Sequence, residues 1–156
     1  MTLAKVVSGG QTGVDRAALD AAMRYDLPVG GWCPKGRLAE DGPISPAYPL
    51  EETPTAVYQE RTLWNVRDSD GTLILTSGEP VGGTALTIAF ARQEHKPHLV
   101  IDLAKDPRIA PVQNWLRAHN IRVLNVAGPR ESTVPGIYAM ARQFLEALIL
   151  AELDGP

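Results

Sequence analysis

The chain has 156 residues, which favours one compact domain with a core of useful size. Apolar residues make up 44% and charged residues 21%, and the net charge is -3. That balance is ordinary for a globular protein and argues against a general nucleic-acid or membrane-surface binder, so any anionic ligand must be held by local groups.

"LAKVVSG", Leu3 to Gly9, reads as a short buried strand. A helix follows near Gly13 to Tyr25, because Val14, Ala17, Ala18, Ala21, Ala22 and Tyr25 recur on one face. "LPVGGWC" is a second, weaker strand. From Pro34 to Pro54 the chain carries five prolines, which remove backbone donors, and no period emerges. This stretch is expected to be a long ordered loop without regular structure, packed down by Tyr48 and Leu50. Val57 to Asp70 reads as a helix with Leu63, Trp64 and Val66 among its apolar positions. "GTLILT" is a central strand, and "GGTALTIAFARQEHK" a helix that opens at a second glycine-rich turn. "PHLVIDL", "PVQNWLRAHN", "IRVLNVAG" and "PGIYAMARQFLEALILAEL" continue as strand, helix, strand and closing helix, and the final "LDGP" is expected to fray.

Strands that alternate with helices imply a mainly parallel α/β sheet of about five strands, with helices on both faces. The strands lack polar alternation, as burial on both sides requires. No repeat or linker divides residues 1–156, so a single domain is expected. Cys33 is the only cysteine, which excludes an intrachain disulfide and a cysteine-rich zinc site. His95, His98 and His119 are scattered, so no metal site is expected. No signal segment or membrane-length apolar run is visible, and the chain reads as a soluble cytoplasmic protein.

Ligands of such sheets bind beyond the carboxyl ends of the strands. Three strand ends carry unusual loops, and all three emerge on one edge. In the first, Gly9, Gly10, Gln11 and Thr12 precede a helix whose free amides suit phosphate. The pattern departs from both the dinucleotide fingerprint and the P-loop. Thr12 with Asp15 also resembles a capping box, which would satisfy the helix end internally. Asp15 would repel phosphate unless Arg16 or a cation offset it. In the second loop Ser77, Gly82, Gly83 and Thr84 repeat the design, while Glu79 is either an orienting group for a sugar hydroxyl or simply solvated. The third carries Arg130 and Ser132, and arginine at a strand end suits capture of phosphate or carboxylate. Lys35 and Arg37 add positive charge near the end of the second strand.

At "SGGQTGVDRAALDAA", "PKGRLAEDGPI", "ERTLWNVRDSDGTLIL" and "GPRES" the sequence resembles the molybdenum carrier (molybdenum cofactor carrier-like) proteins. Theirs is a branch of the nucleotide-binding superfamily that contains the lysine-decarboxylase-like phosphoribohydrolases. The resemblance spans nearly the whole chain. It implies a Rossmann-like three-layer α/β/α sandwich, assembly from several copies, and a role in holding molybdenum cofactor, a phosphate-bearing pterin, or a related nucleotide. The cytokinin-activating phosphoribohydrolases of that superfamily cleave a base from a nucleoside monophosphate, using an Arg-Lys pair and a P-G-G-x-G-T-x-x-E motif. Here Arg61 is kept, Thr62 replaces the lysine, and Pro80, Gly83 and Thr84 are kept. Thr87 stands where the glutamate belongs. Cleavage through an oxocarbenium-like state wants a carboxylate there. Arg61 and Glu79 are therefore the only catalytic candidates, and Glu79 lies on the wrong side of the glycines. The expected role is binding by Gly9, Gly10, Gln11, Thr12, Arg16, Lys35, Ser77, Gly82, Gly83, Thr84 and Arg130. The alternatives are a nucleotide N-glycosidase and a scaffold.

Overall fold

The computed structural model describes residues 3–105 and 107–154. β1 (Lys5–Val7) leads into α1 (Val14–Arg24) and β2 (Val29–Gly30). Four two-residue strands follow: β3 (Trp32–Cys33), β4 (Leu38–Ala39), β5 (Gly42–Pro43) and β6 (Glu51–Glu52). Then come α2 (Tyr58–Arg67), β7 (Gly71–Thr76), α3 (Gly82–Gln93) and β8 (His98–Asp102). A single 3-10 turn, Leu103–Lys105, precedes α4 (Ala110–Ala118), β9 (Val123–Ala127) and α5 (Ile137–Asp154).

The main sheet has five strands in the order β2-β1-β9-β7-β8, and every pairing is parallel. α1 and α4 pack against α5, and α2 packs against α3. Right-handed crossovers put these two groups on opposite faces, because β1 to β2 and β7 to β8 step in opposite directions along the sheet. Read from β7 instead of β1, the order becomes the doubly wound 2-1-3-4-5 arrangement, so the chain's start falls in the middle of a familiar topology. The direction reverses between β7 and β9, which places a crevice there.

The two faces of the sheet differ chemically. Leu73 and Leu75 of β7 join Val6, Leu124 and Val126 in a core with the apolar faces of α1, α4 and α5. Thr72 and Thr76 point the other way, since side chains alternate along a strand. Asn125 Nδ2 donates to Thr72 Oγ1 at 3.2 Å there. α2 and α3 bury Arg61, Asn65, Thr84 and Thr87. A polar interior layer on one face only is unusual, because buried polar groups need partners. The cleft described below opens from this layer.

Two expectations need correction. "LPVGGWC" is not one strand: the chain leaves the main sheet at Gly31, and β3 pairs with β6 in a separate parallel ladder. The Pro34–Pro54 stretch is not devoid of regular structure, since β4 and β5 form an antiparallel pair. Two-residue ladders carry no period for a sequence pattern to display. Packing of this stretch is confirmed: Ile44 and Leu50 sit with Leu19 and Cys33, and Tyr48 Oη donates to Asp20 Oδ1 at 2.6 Å. α5 includes Leu153 and Asp154, whereas Gly155 and Pro156, part of the expected frayed end, lie outside the described residues. No helix among the described residues is long and apolar enough to cross a membrane.

Candidate ligand-binding site

A cleft of about 600 Å³ opens at the carboxyl ends of β1, β7 and β9, within the size range of small-molecule sites. The three loops read from the sequence do converge on it. Gly9, Gln11, Ser77, Gly82, Gly83, Thr84 and Arg130 line it, as do Arg61 and Glu79. Gly10, Thr12, Arg16 and Lys35 are not among its walls.

The first glycine turn is closed. Gly13, at φ 78° and ψ -130°, caps α1 with no side-chain bond to the helix. Thr12 is therefore not the cap. Its Oγ1 instead accepts the Glu131 N–H at 3.1 Å. The Val14 N–H donates to Pro129 O and the Arg16 N–H to Gln11 O, so amides expected to be free are occupied. Neither half of the expected capping box forms: Asp15 Oδ2 accepts the Gln11 N–H at 3.3 Å, and the Thr12 N–H donates to Gln11 Oε1 at 3.0 Å. Arg16 turns outward: Nη1 pairs with Asp41 at 2.8 Å, and Nε and Nη2 donate to Gly10 O. Gly10 faces Ile44 and Leu50. Lys35 is exposed in the loop beyond β3. The charge of Arg37, expected near the site, is spent on main-chain carbonyls of its own loop.

Asp15 lines the cleft while almost wholly buried, at 8% exposure. Burial raises its carboxyl from 3.8 to about 6, although Arg61, the Gln11 N–H, Arg16 and Arg130 all favour the charged form. A carboxyl whose folded value lies above its unfolded one binds a proton more tightly when folded. Its stabilising contribution is present below pH 3.8 and is lost as pH rises through about 6. Asp15→Asn is thus expected to be more stable than the wild type above pH 7, by about 3 kcal/mol. The advantage should vanish near pH 4. Urea melts of both proteins from pH 4 to 8 check this, and parallel curves would contradict it.

The second turn is open. Gly82 takes φ +53°, and a Cβ built on Gly82 or Gly83 would meet nothing within 4 Å. Val81 caps α3 without a side-chain bond. The Thr84 and Ala85 N–H groups both donate to Val81 O, and the Gly82 and Gly83 N–H groups donate to no described residue. Free amides at a helix start, with the helix dipole behind them, attract anions. Across the cleft, the Arg130 guanidinium makes no hydrogen bond to the described residues. It lies 5.8 Å from the Tyr58 ring centroid, with Arg61 Cζ at 5.4 Å from the same ring. Arg61 is buried and committed, donating from Nη1 to Gly9 O at 2.8 Å. Thr87 Oγ1 donates to Gly83 O at 2.9 Å, and Thr62 Oγ1 to Tyr58 O at 3.0 Å.

Asn65, Thr76 and Asn125 also line the cleft and were not read from the sequence. Asn125 left a visible signal, a polar amide within the apolar run "RVLNVAG". Asn65 and Thr76 left none, since one polar residue in an amphipathic helix or at a strand end is ordinary.

The sequence model of the circularly permutated YpsA SLOG family matches residues 6–149. The chain belongs to this family. A permutation is also what the strand order of this SLOG-family chain displays when it is read from β7. The chain is similar to the crystal structure of a "Putative molybdenum carrier protein" from Syntrophus aciditrophicus SB. Identity is 49% and the TM-score 0.90, over 95% of this chain and 96% of that one. No curated protein matches the sequence. The Rossmann-like sandwich and the resemblance to molybdenum carrier-like proteins are both borne out.

Proposed function

We propose that this SLOG-family protein is a non-catalytic holder of a phosphate-bearing pterin or nucleotide. The observation that carries this reading is the open start of α3. The Gly82 and Gly83 amides face a cleft whose opposite wall presents the uncommitted Arg130 guanidinium. Backbone amides, a helix dipole and an arginine together suit a phosphate. The Gln11 amide and Asn125 Oδ1 would take the polar edges of a heterocycle, while Asn65, bound at both ends to the Trp32 main chain, shapes the wall. The name of the similar structure from Syntrophus aciditrophicus SB makes molybdenum cofactor the first candidate cargo. Exposed Met23, Met140 and Leu150 on α1 and α5 support assembly from several copies.

Gly83→Val tests the phosphate end, because it fills open space near a helix start at little cost in stability. It is expected to weaken binding of inorganic phosphate and nucleoside monophosphates by tenfold or more, and Arg130→Ala by about tenfold. Titration calorimetry reads both effects. Native mass spectrometry of the freshly purified protein reads any retained cargo. A bare mass, together with no heat on titration of the wild type, would sink the proposal.

One observation favours the N-glycosidase alternative. Asp15, raised to about 6 by burial, exchanges its proton just below neutrality inside the cleft, and protonation of a leaving base would use such a group. Against it, Thr87 offers no carboxylate and its hydroxyl is engaged by Gly83 O. Chromatography of nucleoside monophosphates incubated with the protein decides between the two, since only an N-glycosidase releases free base.

A further inference from the structure

Gln11 is 4% exposed, and its Nε2 is the one buried side-chain nitrogen or oxygen among the described residues without a hydrogen-bond partner. The orientation of this amide is fixed by its neighbours. Oε1 accepts the Thr12 N–H at 3.0 Å and the Glu40 N–H at 2.8 Å. Both partners are donors, so the amide nitrogen cannot occupy that position. Nε2 is left over, on a side chain that lines the cleft. A buried donor without an acceptor is costly, and native structures rarely keep one without a reason. The β4–β5 hairpin, through the Glu40 N–H, holds Gln11 in this pose.

Asp15 lies beside it. Its Oδ2 accepts the Gln11 main-chain N–H, and its Oδ1 accepts from no described residue. The two side chains thus place a donor without an acceptor and an acceptor without a donor at one turn of the cleft wall, the Gln11 donor lying just under its surface. A flat ring that fits must turn an oxygen to Nε2 and N–H groups to the carboxylate. Guanine and pterins share such an edge, in which a ring carbonyl, a ring N–H and an exocyclic amine stand in a row. Adenine would set an amine against the Gln11 amine and a ring lone pair against the carboxylate.

Given the proposed role as a holder of phosphate-bearing heterocycles, we infer that Gln11 and Asp15 read the amino-oxo edge of guanine or a pterin and discriminate against adenine. The spacing suits such a ligand. β1 and β7 flank β9, so the heterocycle and phosphate ends lie about 10 Å apart at ~4.8 Å per strand.

The test titrates wild type and Gln11→Glu at pH 8, where Asp15 is ionised, with GMP, neopterin monophosphate, AMP and inorganic phosphate. Gln11→Glu keeps an oxygen for the Thr12 and Glu40 amides and replaces only the free donor. Wild type is expected to bind GMP or neopterin monophosphate at least tenfold more tightly than AMP. The tighter of the two identifies the source of the edge. Gln11→Glu is expected to lose roughly 10- to 100-fold for that ligand and several-fold less for inorganic phosphate. AMP bound as tightly as the better of GMP and neopterin monophosphate, or binding of phosphate with no preference among the rings, overturns the inference and leaves the holder role standing. No binding by any of the four overturns both. If Gln11→Glu fails to fold, judged by circular dichroism, the wild-type ligand series still decides.

Discussion

Gly13→Ala is expected to destabilise the protein by more than about 3 kcal/mol and to lower its melting temperature by roughly 10 °C. Gly13 lies at φ 78° and ψ -130°, a conformation that side chains rarely enter. An added Cβ would come 2.4 Å from Pro129 O, 2.8 Å from Glu131 N and 2.9 Å from the Arg130 carbonyl carbon. These are main-chain atoms of the segment between β9 and α5, so no rotamer change relieves the clash. That segment also carries Arg130, and Pro129 O receives the Val14 N–H at the start of α1. Moving it disturbs the α1 end and the Arg130 wall of the cleft together. Gly82→Ala is the matched control. It also has positive φ, but its surroundings are empty, so a loss of only about 1 kcal/mol is expected. Thermal melts of the two variants measure the difference. Equal melting temperatures would show that backbone conformation alone, without the clash at Pro129, sets the cost.

Arg37→Ala should loosen the roof of the first turn, at a cost of about 3 kcal/mol. The Arg37 guanidinium donates to four main-chain carbonyls, of Ser45 at 2.7 Å, Tyr48 at 2.9 Å, Ile44 at 3.1 Å and Leu50 at 3.2 Å. No ladder longer than two residues replaces these bonds in a proline-rich stretch. Ile44 and Leu50 in turn cover Cys33, whose thiol is fully buried and pushed up by that burial. In the wild type Cys33 is expected to react slowly with a thiol reagent, and in Arg37→Ala much faster at a temperature where the sheet remains folded. Arg37 has φ 55°, so Arg37→Gly removes the guanidinium while relieving backbone strain. It should recover about 1 kcal/mol relative to alanine and still expose the thiol. Unchanged Cys33 reactivity in both variants would refute the stapling role.

In the proposed role the site holds a small anionic heterocycle. The carboxylate at the cleft wall distinguishes this site from a plain phosphate trap. Asp15 would disfavour an anion close by, yet offer a heterocycle a hydrogen-bond acceptor. In that role the two ends of the cleft would have different electrostatic tasks, separated by the width of β9.

Local pattern alone carried the alternation of strands and helices, the burial of "GTLILT" on both sides, and the gathering of three loops on one edge. The last follows because parallel strands all end on the same side of their sheet. Ser77, Gly82, Gly83, Thr84, Gly9, Gln11 and Arg130 were legible for this reason: each sits at or just past a strand end. What stayed hidden depends on partners far along the chain. Arg16 turns from the cleft because Asp41 and Gly10 O hold it, and Thr12 because the Glu131 amide, 119 residues away, claims its hydroxyl. That β9 lies between β1 and β7 depends on the direction of each crossover, which no local period encodes. The unpaired Gln11 amide exists only because the β4–β5 hairpin folds back to hold its oxygen. Periodicity reports which side of an element is buried; long-range hydrogen bonds settle which polar groups remain free for a ligand.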